Sequence, residues 1–245
     1  FIICLILLAK KRIHPLGNQR KDLLLRGIFG TCALSAYFYT LKHIPLASAV
    51  TLQYLNPIFS TAFAIFILKE KVSLKQWACF ALSFCGVLMV KGFDSRVSGL
   101  YLLIGIAAAA GSGLAYNYVR KLRHSDHPIV VVFYFSWVNL VLITPYTAFH
   151  WQTPNPQEWT LLLLIGVLTY IAQFFMTHAY HAERMAVVAN LNYTGVLYAL
   201  IFGYLFFQES VRLWSFLGMI LIITGVLLSS RYKEPDTVEP QTKLN

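Results

Sequence analysis

Charge is scarce in this sequence. Charged residues make up 12% of its 245 positions, and only 10 residues are Asp or Glu, where ordinary globular domains are about 25% charged. None of those carboxylates lies deep inside a long apolar stretch, so no proton relay of buried acids is visible. Cysteine is equally sparse: Cys4, Cys32, Cys79 and Cys85 sit within apolar stretches and lack Cys-x-x-Cys spacing. That excludes a zinc site and a disulfide framework on spacing grounds. Basic residues are in excess, for a net charge of +10, yet they fall in short clusters with no basic stripe or aromatic platform. Nucleic acid is therefore not an expected partner. Gly111-Ser112-Gly113 follows Ala107–Ala110 and opens no strand-and-helix unit, so it reads as close helix packing rather than a phosphate loop.

What remains is apolar. Hydrophobic residues are 58% of the chain, with a mean hydropathy of +0.62, more than a soluble fold could cover. They gather into stretches of about 20, the length that crosses a hydrocarbon core of about 30 Å. A backbone in lipid must satisfy its own hydrogen bonds, so each stretch is expected to be a helix. The expected spans are Leu23–Leu41, Ala47–Leu68, Leu74–Val90, Gly99–Val119, Ile129–Phe149, Trp159–Tyr180, Ala186–Phe207 and Leu213–Ser229. Phe1–Ala9 is apolar but too short to cross, runs into Lys10, Lys11 and Arg12, and is read as the end of a helix. Connections are short, with turn signals at Pro15-Leu16-Gly17, Pro45, Gly92 and Pro154-Asn155-Pro156. The tail, 231–245, is polar, carries Pro235 and Pro240, and is expected to be disordered and cytoplasmic.

Of the 20 Lys and Arg residues, all but Lys42, Lys91, Arg96 and Arg212 fall on alternate connections that share one side. By the positive-inside tendency that side is cytoplasmic. A multi-pass protein of the cell (inner) membrane with a cytoplasmic C-terminus is the expectation.

The chain also repeats itself. Residues 23–91 align without gaps on residues 162–230, placing Gly27 on Gly166, Ala47 on Ala186, Leu52 on Leu191, Glu70 on Glu209 and Gly86 on Gly225. Apolar matches are cheap in such a chain, so the weight rests on the two glycine pairs and the glutamate pair. The second unit opens at Ser98, and on the same register the first unit is expected to lack about 40 residues, one helix and half of another. Each complete unit would hold five helices, an odd number, so the copies would insert with opposite orientation. That inverted-repeat design places a site near the bilayer midplane between two halves.

The run Leu41-Lys42-His43-Ile44-Pro45-Leu46-Ala47-Ser48-Ala49, then Leu55-Asn56-Pro57-Ile58-Phe59, Lys69-Glu70-Lys71 and Gly86-Val87, resembles the EamA domain of the drug/metabolite transporter superfamily. The second copy, from Ala186 through Gln208-Glu209 to Gly225-Val226, looks like the same domain again. The resemblance implies an all-α bundle of ten helices in two inverted five-helix units, here about eight complete and one partial: residues 1–92 the first, 97–230 the second. It implies a carrier of small organic solutes such as amino acids, sugars, nucleotide derivatives or drugs, working by alternating access without a cofactor. Coupling to a proton or another ion and homodimerisation stay open. One departure is Val196, the repeat mate of Pro57, where the family often shows a second proline.

Polar side chains inside hydrocarbon should face the bundle interior. The cavity candidates are Tyr37, Tyr39, Gln53, Asn56, Tyr116, Asn117, Trp137, Tyr170, Gln173, Asn190, Asn192 and Tyr193, with Asn139 and His178 nearby. Pro57 and Gly195 are the expected helix breaks, because proline removes a backbone donor and frees a carbonyl. The bland alternative is that Asn and Gln merely join neighbouring helices. Glu70 and Glu209 are expected as interfacial ion pairs among Lys69, Lys71 and Arg212. His178 and His181 share a helix face, but lack further ligands for a metal. No catalytic set is apparent; an intramembrane enzyme would need one, and a non-transporting scaffold would scatter its polar residues instead of converging them.

Overall fold

The computed structural model describes residues 1–44, 46–91, 98–195, 197, 198, 201, 205 and 213–232. Pro45, Gly92, Arg96, Val196, Glu209, Arg212 and the tail from Lys233 onward lie outside them. The described residues form α1 (Ile2–Lys10), α2 (Arg20–His43), α3 (Leu46–Gln53), α4 (Asn56–Ile67), α5 (Leu74–Lys91), α6 (Gly99–Lys121), α7 (Pro128–Phe149), α8 (Pro156–Ala182), α9 (Met185–Leu191) and α10 (Leu213–Arg231). There is no strand among them. Gly99–His124, Pro128–Phe149 and Pro156–Ala182 are each long and apolar enough to cross a membrane.

Local chemistry sets the boundaries. At the start of α8, Asn155 and Glu158 cap one another: the Glu158 N–H donates to Asn155 Oδ1 and the Asn155 N–H to Glu158 Oε2, both at 2.8 Å. Pro156 takes the first turn, where no backbone donor is needed. α7 opens on Pro128, with His127 Nδ1 accepting the Ile129 N–H at 3.2 Å.

The stretch expected as one helix over Ala47–Leu68 is two, α3 and α4, parted at Tyr54-Leu55. Pro57 cannot donate to the Gln53 carbonyl four residues back, so the helix stops there and restarts with proline in its first turn. At the equivalent place in the second copy, α9 tightens into a single 3₁₀ turn over Asn192–Thr194. Gly195 itself keeps an ordinary right-handed helical conformation, φ −55° and ψ −29°. The distortion therefore sits just ahead of the glycine, and it needs no proline.

The helices pack where side chains are small. α6 lies between α2 and α4: a Cβ on Gly111 would meet that of Ala33 at 3.1 Å, and one on Gly113 the Ser60 nitrogen at 2.8 Å. α5 lies along α10. A Cβ on Gly86 would stand 2.6 Å from the Gly218 carbonyl and 2.8 Å from Ile222, and one on Gly225 would stand 2.9 Å from the Cys79 carbonyl and meet Ser83. Cys79 aligns with Gly218, Ser83 with Ile222 and Gly86 with Gly225, so this contact is reciprocal between the copies. Tyr54 and Tyr193, also repeat mates, face each other with ring centroids 6.1 Å apart.

Candidate functional site

A cavity of about 170 Å³ is lined by residues of α2, α3, α6, α7 and α8. α2 contributes Arg26, Gly30, Leu34 and Tyr37, spaced so that all four share one helix face over roughly 16 Å of its length. α3 ends on Gln53, whose Nε2 donates to Ser112 Oγ of α6 at 3.0 Å. Tyr116 lies one turn further along α6 and stacks on Tyr180, centroids 5.1 Å apart. Phe135 of α7 and Gln173 of α8 complete the lining.

Four of the expected residues, Tyr37, Gln53, Tyr116 and Gln173, meet there. The others lie elsewhere. Asn56 is buried at the start of α4 with Oδ1 unpartnered. Asn117 Nδ2 donates to the Ser60 and Gly113 carbonyls at 2.9 and 2.8 Å, joining α6 to α4. Asn190 Nδ2 likewise donates to the Gly225 carbonyl at 3.2 Å, joining α9 to α10. Tyr193 is fully buried against Tyr54. Tyr170 is half-buried beside Phe174, and Asn192 is exposed with Nδ2 3.4 Å from the Tyr180 hydroxyl. Tyr39 is exposed and packs on His43, and Trp137 is exposed with its edge toward Tyr134. A larger hollow of about 370 Å³ runs along the exposed flank of α7, touches Asn139 and Trp151, and is lined by no charged side chain.

Sequence reasoning passed over the charged residue of the cavity. Arg26, which charge alone assigns to the basic end, is 2% exposed, its Nη2 donating to Gln173 Oε1 at 3.0 Å. Its guanidinium carbon stands 4.3 Å from the centroid of Phe135, the geometry of a cation–π contact. The signal was present: Arg26 falls three residues inside the first apolar stretch, and a charge within such a stretch marks a bundle interior.

Toward the same end, two ion pairs tie the segment 1–92 to α6. Glu70 pairs not with a neighbour on its own loop but with Arg120 of α6, Oε1 to Nε 3.1 Å, and both are largely buried. Its Oε2 accepts the Met185 N–H at 3.0 Å, and Arg120 Nη1 also donates to the Tyr180 and His181 carbonyls at 3.2 Å. Asp22 Oδ2 meets Lys121 Nζ at 2.9 Å. His178 lies against the Phe174 ring, centroids 4.5 Å apart.

Apolar helices packed around a hollow lined in part by polar side chains define a multi-pass membrane protein. The sequence pattern of the EamA-like transporter family matches residues 1–92 and 99–231. The chain belongs to that family, within the drug/metabolite transporter superfamily, and is a membrane transport protein. It is 31% identical over 214 residues to the pseudopaline exporter CntI of Pseudomonas aeruginosa, covering 86% of this chain and 75% of that one. It is 28% identical over 244 residues to solute carrier family 35 member G1 of Mus musculus, covering 91% of this chain and 65% of that one. A solved crystal structure shares the fold at a TM-score of 0.77 and 16% identity, over 94% of this chain and 83% of the other.

Proposed function

We propose that the chain carries a small organic solute across the cell membrane by alternating access, two inverted units rocking about the cavity at their shared boundary. The observation that supports this reading is the lining itself. Arg26, Gly30, Leu34, Tyr37 and Gln53 come from one family-matched segment; Ser112, Ala115, Tyr116, Phe135 and Gln173 come from the other. A hollow bounded by both halves changes its access when the halves tilt. The units proposed are 1–92 and 97–230, and the reciprocal contact of Gly86 and Gly225 is what two copies related by a two-fold axis would make. The basic end is the cytoplasmic one, and the buried Glu70–Arg120 pair keeps that side closed in this conformation.

Purified protein in proteoliposomes, offered a panel of radiolabelled metabolites, should give saturable flux of at least one; absence of saturable flux for every solute overturns the reading. Single cysteines at Lys42 and Lys121, both exposed, should label from opposite faces of the membrane. Labelling from one face overturns the inverted arrangement.

A further inference from the structure

We infer that the cavity recognises its solute through a single carboxylate, held by the guanidinium of Arg26. This deepens the transport reading and rests on it.

An arginine inside a bundle is costly unless its charge is met. Around Arg26 the partners are incomplete. Gln173 supplies one neutral oxygen and Phe135 one ring face. The Nε–H, buried from solvent, has no acceptor. The acid best placed to neutralise it is Asp22, one turn earlier on the same helix face, but Asp22 is held by Lys121. The guanidinium is therefore positioned on two sides with one buried donor left unmet, and a carboxylate is the group to which its planar fork of donors is matched. Gly30 makes room for the guanidinium itself: a Cβ there would strike Arg26 Nη1 and lie 3.0 Å from Phe135.

The rest of the lining limits what is attached to the carboxylate. Tyr37, Tyr116 and Phe135 offer aromatic surface, and Gln53 Oε1 has no partner while its Nε2 is occupied by Ser112. Among the described residues Arg26 is the only charged one in the lining, so one negative charge is matched and a phosphate dianion is not. About 170 Å³ is below the roughly 300–1,000 Å³ of sites for drug-sized ligands, which suits a compact acid with one ring or a short branched chain.

The test is equilibrium binding of benzoate, benzamide and phenylphosphonate to the full-length protein in detergent, by isothermal titration, with benzoate flux into proteoliposomes alongside. The expected result is benzoate at least tenfold tighter than benzamide and than phenylphosphonate. In Arg26→Gln that preference should fall to about onefold. Gln173→Glu provides the second variant: an internal carboxylate beside Arg26 should raise the melting temperature and abolish benzoate binding, so a folding defect cannot imitate the result. Equal binding of benzoate and benzamide, tighter phenylphosphonate, or a benzoate preference that survives in both variants overturns the inference. Flux without the preference fails this inference alone, whereas the preference without saturable flux of any solute on the panel fails the transport reading alone.

Discussion

α2 and α8 occupy the same place in the two copies and end at matching residues, yet only one of them carries the charge. On the repeat register Arg26 falls on Ile165, Gly30 on Thr169 and Tyr37 on Met176. Arg26 is 2% exposed and lines the cavity; Ile165 is 59% exposed and faces outward. By contrast, the break after α3 and the 3₁₀ turn after α9 coincide, and so do the glycine contacts between α5 and α10. The frame has been kept in duplicate because each copy needs the same close approaches to pack. The side chains that line the cavity answer to no such requirement, so they could diverge.

The sharpest way to break this comparison is at the ion pair, which has no described counterpart. Glu70→Ala should lower stability by about 3 kcal/mol, since removing one partner of a buried pair is far costlier than the pair is worth; thermal melting in detergent measures it. If the loss is under about 1 kcal/mol, the pair behaves as a surface one and the closed basic end is not held by it.

Next come the glycines. Gly86→Ala and Gly225→Ala should each cost about 1–3 kcal/mol, because the added methyl meets backbone that cannot swing aside. The two should agree within about 0.5 kcal/mol if the contact is reciprocal, and a one-sided effect would separate the copies.

Smaller still are the amides. Asn117→Ala and Asn190→Ala remove helix-to-helix bonds worth about 0.6 kcal/mol on average in membranes, with Asn117 the larger because it donates twice. Last, Ile165→Ala should change stability by no more than about 0.5 kcal/mol, as an exposed position does. A large loss there would mean that α8 hides the face that its repeat mate hides.

Much of the fold was legible in the chain. Hydropathy located most of the helices to within a few residues, since lipid leaves a backbone no alternative to internal hydrogen bonding. The span expected over Ala186–Phe207 lies partly outside the described residues. Pro57 announced the break between α3 and α4, and Gly111 and Gly113 announced the close packing of α6. The equivalent break at Asn192–Thr194 was harder, because Gly195, the residue that marked it, is itself regular helix. The site was legible only in part. Tyr37, Gln53, Tyr116 and Gln173 converge, but Tyr39 and Trp137 turn outward and Asn117 and Asn190 bond their neighbours. Polarity within an apolar stretch says that a side chain must find a partner, not which one.

Composition and hydropathy determined that this chain lives in lipid and in helices, because hydrophobic length and backbone satisfaction are local demands, and its internal alignment determined that it does so in duplicate. Tertiary structure alone decided that Glu70 would reach Arg120 rather than its loop neighbours, and that Arg26 would meet Gln173 and Phe135 with its Nε–H unpartnered. Such partnerships depend on which helix faces meet across distances of fifty to a hundred and fifty residues in the chain. No local rule of charge or spacing contains that information.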